Sequence, residues 1–338
     1  MRLPPPRGPI TEALFRALEG PPGAARIDAA GPDDEDRQPA LFALDDEDTQ
    51  LALFACYELH YQGFDGVDDR WEWDPGLLGF RAALEEGFER SLAAAVPRPA
   101  DPGPAGVRAA LVALTCTDEE PLLSLFLQRE ASLENFREFV THRSIYHLKE
   151  ADPHTWAIPR LSGGPKAALV EIQSDEYGGG RRERMHSELF RATMRGLGLD
   201  DAYGAHLHRV PGVTLAISNA MSLFGLHRRW LGALLGHLAA LEMTSSVPNR
   251  RYATGLRRLG AGSRTVGFFD EHVVADAVHE QIAANDMCGG FAAAFPAYTG
   301  DILYGAACAT ELERRWAEHV MGCWQRGTGS LWTEPVPA

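Results

Sequence analysis

The stretch EHVVADAVHE, residues 271–280, sets His272, Asp276 and His279 at spacings i, i+4 and i+7. On a helix these positions fall on one stripe, so two imidazoles and a carboxylate project in the same direction. Imidazole and carboxylate are donors that divalent transition metals accept. The same stripe would also serve as the solvent-facing polar edge of a helix. However, Phe268, Phe269, Val273, Val274 and Val278 make the segment too apolar to be fully solvated. Three side chains on one helix cannot enclose an ion, so a metal reading requires ligands from other segments.

Such ligands are available. The segment EIQSDEYGGGRRERMHSELF carries Glu176 and His186, ten residues apart, which is not one face of an ideal helix. Gly178, Gly179 and Gly180 lie between them, and a glycine run can unwind a helix and re-aim one ligand. Glycine within a helix costs about 1 kcal/mol relative to alanine. A ligand-bearing turn would offset that cost; alternatively the glycines end one helix and start another. Upstream, Glu150 in HLKEADPHTW stands at a helix end, just before the Asp152-Pro153 break.

The elements that must position these residues are helices. From about Asp46 onward, segment after segment shows apolar recurrence at i, i+3 and i+4, with Gly and Pro mostly between the segments and almost no strand alternation. The expected fold class is all-α, a helical bundle with a smaller helical N-terminal part packed on it. Residues 1–45, rich in Pro, Gly and Asp, read as a flexible or irregular lead-in. Residues 46–104 read as an N-terminal helical segment that ends in PRPADPGPAG. The main bundle follows over 105–325, then a tail over 326–338.

Together and in this order, KEADPHTWAIPRL, DEYGGG with a histidine ten residues after its glutamate, and HxxxDxxH resemble the haem-oxygenase-like diiron oxidases, the iron-containing redox enzymes. The resemblance covers roughly residues 105–325. It implies a haem-oxygenase-like bundle whose iron ligands are Glu150, Glu176, His186, His272, Asp276 and His279. It further implies two iron ions per chain, O2 as co-substrate and a peroxo-diferric intermediate. The substrate would be a small molecule, with an amine or amino acid expected, undergoing N-oxygenation or oxidative C–C or C–H cleavage. Three carboxylates and three imidazoles suit iron(II) on chemical grounds as well. Tyr177 and Glu242 are candidates for hydrogen-bonding or substrate-contacting roles beside the metal. The rival expectation is a helical protein that binds metal or a small molecule without redox turnover.

The remaining observations narrow the class. A formal charge of -15 argues against nucleic-acid binding and against adsorption to an anionic membrane. Of the 32 basic residues only Lys149 and Lys166 are lysines. The five cysteines form no CxxC pair, which argues against a disulfide framework or a cysteine zinc site and fits a reducing cytoplasm. Neither a signal peptide nor a membrane span is expected. RLSGGPK lacks the spacing of a phosphate-binding loop. With no flavin or nicotinamide motif present, electrons would come from an external donor or from the substrate. A homodimer contact is one expected role for the N-terminal segment. His142, His147 and His154 lie near Glu150 in sequence, yet their spacing does not pair them with the ligands. Glu58 is expected to be hydrogen-bonded within the N-terminal packing.

Overall fold

A computed structural model describes residues 1–23, 27, 43–116 and 122–333, with only the backbone described for Leu122, Asp276 and Ala277. Among the described residues the regular structure is helical, with no β-strand. The helices are α1 (Pro9–Leu18), α2 (Glu47–Glu58), α3 (Pro75–Ala95), α4 (Val107–Thr115), α5 (Leu122–Arg129), α6 (Leu133–His147) and α7 (Asp152–Thr155). They continue with α8 (Gly163–Glu176), α9 (His186–Gly196), α10 (Gly212–Leu226), α11 (Leu231–Arg258), α12 (Ser263–Gln281), α13 (Gly290–Ala294) and α14 (Thr299–Gln325). A π-helical stretch, Ile282–Gly289, joins α12 to α13. None of the described helices is long and apolar enough to cross a membrane.

The centre of the molecule is α10, which is buried all round from Gly212 to Gly225, as a helix apolar on every face should be. The long helices α11 and α14 pack beside it and cross closely. A Cβ placed on Gly236 would come within 1.8 Å of the Ile302 carbonyl oxygen, and one on Gly305 within 1.9 Å of the Ala233 carbonyl oxygen. Only glycine at both positions permits this backbone-to-backbone approach.

The N-terminal part is not peripheral. Helix α2 is buried from Asp48 to Glu58 and is joined to α10 by hydrogen bonds. Asn219 donates to the Gln50 carbonyl and to Gln50 Oε1, both at 2.9 Å. Residues 1–45 are not wholly irregular, as composition suggested. Pro9–Leu18 form α1, because Pro9 favours a helix start and Ile10, Leu14 and Leu18 recur at i+4 to give a buried stripe. Asp48 of α2 caps this helix by accepting from the Ile10 and Thr11 backbone amides, each at 2.8 Å. Residues 24–26 and 28–42 of the expected lead-in lie outside the described residues. In the expected tail, Ser330 donates from its backbone N and its Oγ to Glu138 at 2.8 and 2.6 Å, while residues 334–338 lie outside the described set.

Candidate metal centre

Each candidate ligand is aimed by a local feature of its element. Helix α6 ends at His147, and the chain turns through residues 148–151. Ala151 adopts φ 76°, the sole non-glycine residue with positive φ among the described residues. That conformation costs an alanine about 1–2 kcal/mol. The turn carries Glu150 toward α12. Glu176 is the last residue of α8, and His186 is the first of α9. Between them Gly178, Gly179 and Gly180 all take positive φ. A Cβ on Gly178 would lie 2.6 Å from the Arg184 carbonyl carbon and from the Met185 nitrogen. The glycines do end one helix and allow another to start, and in doing so they fold the chain back. His186 Nδ1 thereby comes 2.8 Å from Glu176 Oε2 despite ten intervening steps of sequence.

His272 and His279 project from one stripe of α12, as their spacing predicts, and both are buried. Donor atoms of Glu150, Glu176, His186 and His272 lie within 4.8 Å of one another. A second group, Glu176, Glu242 and His279, meets the same limit. Glu176 belongs to both groups, which is the arrangement needed for one carboxylate to bridge two ions.

The partners of the imidazoles fix which nitrogen faces inward. His272 Nδ1 lies 2.9 Å from the Phe268 carbonyl and donates to it, leaving Nε2 toward Glu150 at 3.5 Å. His279 Nε2 lies 3.1 Å from Asp175 Oδ2, leaving Nδ1 toward Glu242 at 3.3 Å. Such outer contacts orient metal-binding histidines. His147 Nδ1 reaches Glu150 Oε1 at 2.8 Å.

The cluster is poorly satisfied by its own members. Glu150 Oε2, Glu176 Oε2, His186 Nδ1 and His279 Nδ1 are all buried without a hydrogen bond of acceptable geometry, although three of them lie near an oppositely polar atom. Buried polar atoms rarely go unpaired. Burial, and then the neighbouring Glu176, raises the pKa of Glu242. Burial opposes protonation of His279, yet the neighbouring carboxylates of Glu242, Asp175 and Glu176 lift its pKa to about 9. Burial likewise works against a charged Glu150, but the imidazoles of His147 and His272 hold its carboxyl well below the usual range. Three buried carboxylates and three imidazoles in two overlapping groups, with four atoms lacking a hydrogen bond of acceptable geometry, offer the donor set that a divalent transition ion such as iron accepts.

Several residues differ from the sequence expectations. The side chain of Asp276 lies outside the described residues, although its backbone lies on α12 between the two histidines. Glu242, expected only beside the metal, stands at ligand distance within the second group. The sequence signal available was an acid in the apolar run LGALLGHLAALEM, since a buried acid needs a partner. Tyr177, by contrast, directs its hydroxyl away from Glu176, donating to Asp152 at 2.7 Å and lying 3.0 Å from Thr155 Oγ1. His147 does pair with a candidate ligand, and its i, i+3 spacing to Glu150 was the clue. Glu58 reaches beyond the N-terminal packing, to Lys149 at 2.8 Å.

Val274 and Val278, read as too apolar for solvent, are exposed at 73% and 59%. They form one wall of a cleft of about 450 Å³ that opens at the surface and reaches His186. Its other walls include Arg181, Arg184, Asp175 and Glu271.

Among the described residues the chain is thus a helical bundle enclosing a carboxylate–imidazole cluster that could hold a metal ion. A family model described as iron-containing redox enzyme matches residues 137–314, more than half of the chain, and the chain belongs to that family. No curated protein matches the sequence. Every clustered residue lies inside the matched region, whereas α1 to α5 precede it.

Proposed function

We propose that the chain is a non-haem diiron oxidase or oxygenase acting on a small molecule, an amine or amino acid. Glu150, Glu176, His186 and His272 would hold one iron, and Glu176, Glu242 and His279 the other, with Asp276 on the same stripe of α12. The observation that carries this reading is the sharing of Glu176 between two buried donor groups, four of whose atoms lack a hydrogen bond of acceptable geometry. Iron(II), when bound, supplies electrons for the reduction of dioxygen.

The chain's own residues do the rest. The Phe268 carbonyl and the Asp175 carboxylate orient His272 and His279 so that Nε2 of the first and Nδ1 of the second, once the latter gives up its proton, would face the centre. His147 orients Glu150. Phe268 and Phe190 pack on the imidazoles of His147 and His272 and keep bulk water from that side. The cleft between the glycine turn and α12 offers a path for a small molecule, with both charges and aliphatic surface along it. Electrons beyond those of the metal would come from an external donor or from the substrate.

Anaerobic titration with Fe(II), followed by mixing with O2, tests the proposal. Uptake of two irons per chain and a transient visible absorption that decays faster with an oxidisable amine or amino acid are expected. Uptake of two irons with no O2 reaction would instead indicate a metal-binding protein without turnover, and no specific iron uptake would overturn the reading.

A further inference from the structure

A second polar group lies buried beside the candidate centre, on the opposite side of the turn that carries Glu150. Glu58, the last residue of α2, accepts from Lys149 Nζ at 2.8 Å and from the Tyr203 hydroxyl at 2.7 Å. The Lys149 and Glu58 side chains are 1% and 0% exposed. The Lys149 ammonium also lies over the rings of Tyr61 and Phe54, 4.2 and 4.8 Å from their centroids.

Three observations indicate that this pair does more than stabilise the fold. A buried ion pair is seldom more stabilising than well-packed apolar residues of the same volume, so its presence calls for another reason. The chain has only two lysines among 32 basic residues. One of them stands here, its ammonium between two rings and a carboxylate. Finally, Lys149 and Glu150 are adjacent in the turn and reach to opposite sides, toward α2 and toward α12. The residue that follows them, Ala151, is held at φ 76°, a conformation that persists only where its surroundings enforce it.

We propose that Glu58 is a positioning residue for the metal centre: by anchoring Lys149 it locks the 148–151 turn and so aims Glu150 at the first iron group. The N-terminal helical segment, which lies outside the matched family region, thereby contributes to the site from behind. The proposal rests on the diiron reading above.

The experiment is the iron stoichiometry and affinity of the full chain, measured by anaerobic equilibrium dialysis, with helicity and Tm followed in parallel. Glu58→Gln is expected to keep the helical content and to weaken the iron group containing Glu150 about 10-fold, the lower end of what losing a direct partner of a ligand costs. At iron concentrations where the unaltered chain holds two ions, this variant should hold one. Glu242→Ala should also hold one, and the two changes combined should hold none. Should Glu58→Gln fail to fold, Glu58→Leu/Lys149→Met, which leaves no unpaired charge, gives the same reading. A merely structural Glu58 would lower Tm while leaving both iron affinities intact. A folded variant that holds two irons at unaltered affinity would overturn the inference and leave the diiron reading standing. Failure of the unaltered chain to take up iron would instead overturn the diiron reading itself.

Discussion

Two buried polar clusters flank the turn at 148–151, and they differ in one respect. In the Glu58–Lys149–Tyr203 cluster the charges are opposite and the hydrogen bonds are made within the protein. Around Glu176 three carboxylates meet three imidazoles, and four buried atoms lack a hydrogen bond of acceptable geometry. The charged residues of both clusters are buried, so burial alone does not distinguish a structural network from a binding site. Satisfaction does: a network complete in itself holds the chain in place, and an incomplete one is finished by something the chain binds.

The comparison can be broken at its most shared residue first. Glu176→Ala removes a donor from both groups, so iron content should fall from two per chain to near zero and turnover should vanish, as read by metal analysis after anaerobic loading. If two irons remain, the bridging assignment of Glu176 is wrong. His279→Ala touches only the second group and should leave about one iron with the helical content little changed. Two retained irons would remove His279 from the site.

On the other side of the turn, the contrast is one of stability. Glu58→Ala leaves Lys149 buried and unpaired and should cost about 3–5 kcal/mol, whereas Glu58→Leu/Lys149→Met should be close to neutral in the metal-free chain. Chemical denaturation of both variants measures the difference, and equal losses would show that the pair itself is stabilising.

The smallest effect is on pH. The imidazole of His279 has a pKa of about 9 in the folded, metal-free chain, above the roughly 6.5 of an unfolded histidine. Its contribution to stability is therefore fully present below about pH 6.5 and is lost as pH rises through 9. Iron must displace the same proton, so iron affinity should change with the opposite sign and strengthen over that window. Tm with and without iron, followed from pH 6.5 to 9, should diverge; parallel curves would exclude His279 as a ligand.

How much of this was legible in the sequence follows from the range of each interaction. The helices were readable because their apolar stripes recur locally, and α1 was overlooked only because its short stripe sits in a Pro- and Gly-rich context. His272 and His279 were readable because one helix fixes both. The relation of Glu176 to His186 was half readable: the glycines announced a break, but the path of the returning chain depends on the close approach of Gly178 to residues 184 and 185. Glu242 was seen, but its approach to His279 was not, since that partner lies on another helix and no local spacing reports it. The partnership of Glu58 with Lys149 spans 91 positions, and no local spacing reports it.

The paired glycines where α11 meets α14 bear on all of this. Gly236 lies six residues before Glu242 on α11. Helix α14 carries Glu313, which grips Arg143 of α6 through two contacts of 2.7 and 2.6 Å, and α6 leads directly into the turn that bears Glu150. A single methyl group added at Gly236 or Gly305 would wedge these helices apart, and because each leads to a different half of the cluster, the gap between the halves would widen with it. The bite of the centre is thus gauged by two hydrogen atoms on a distant pair of Cα carbons.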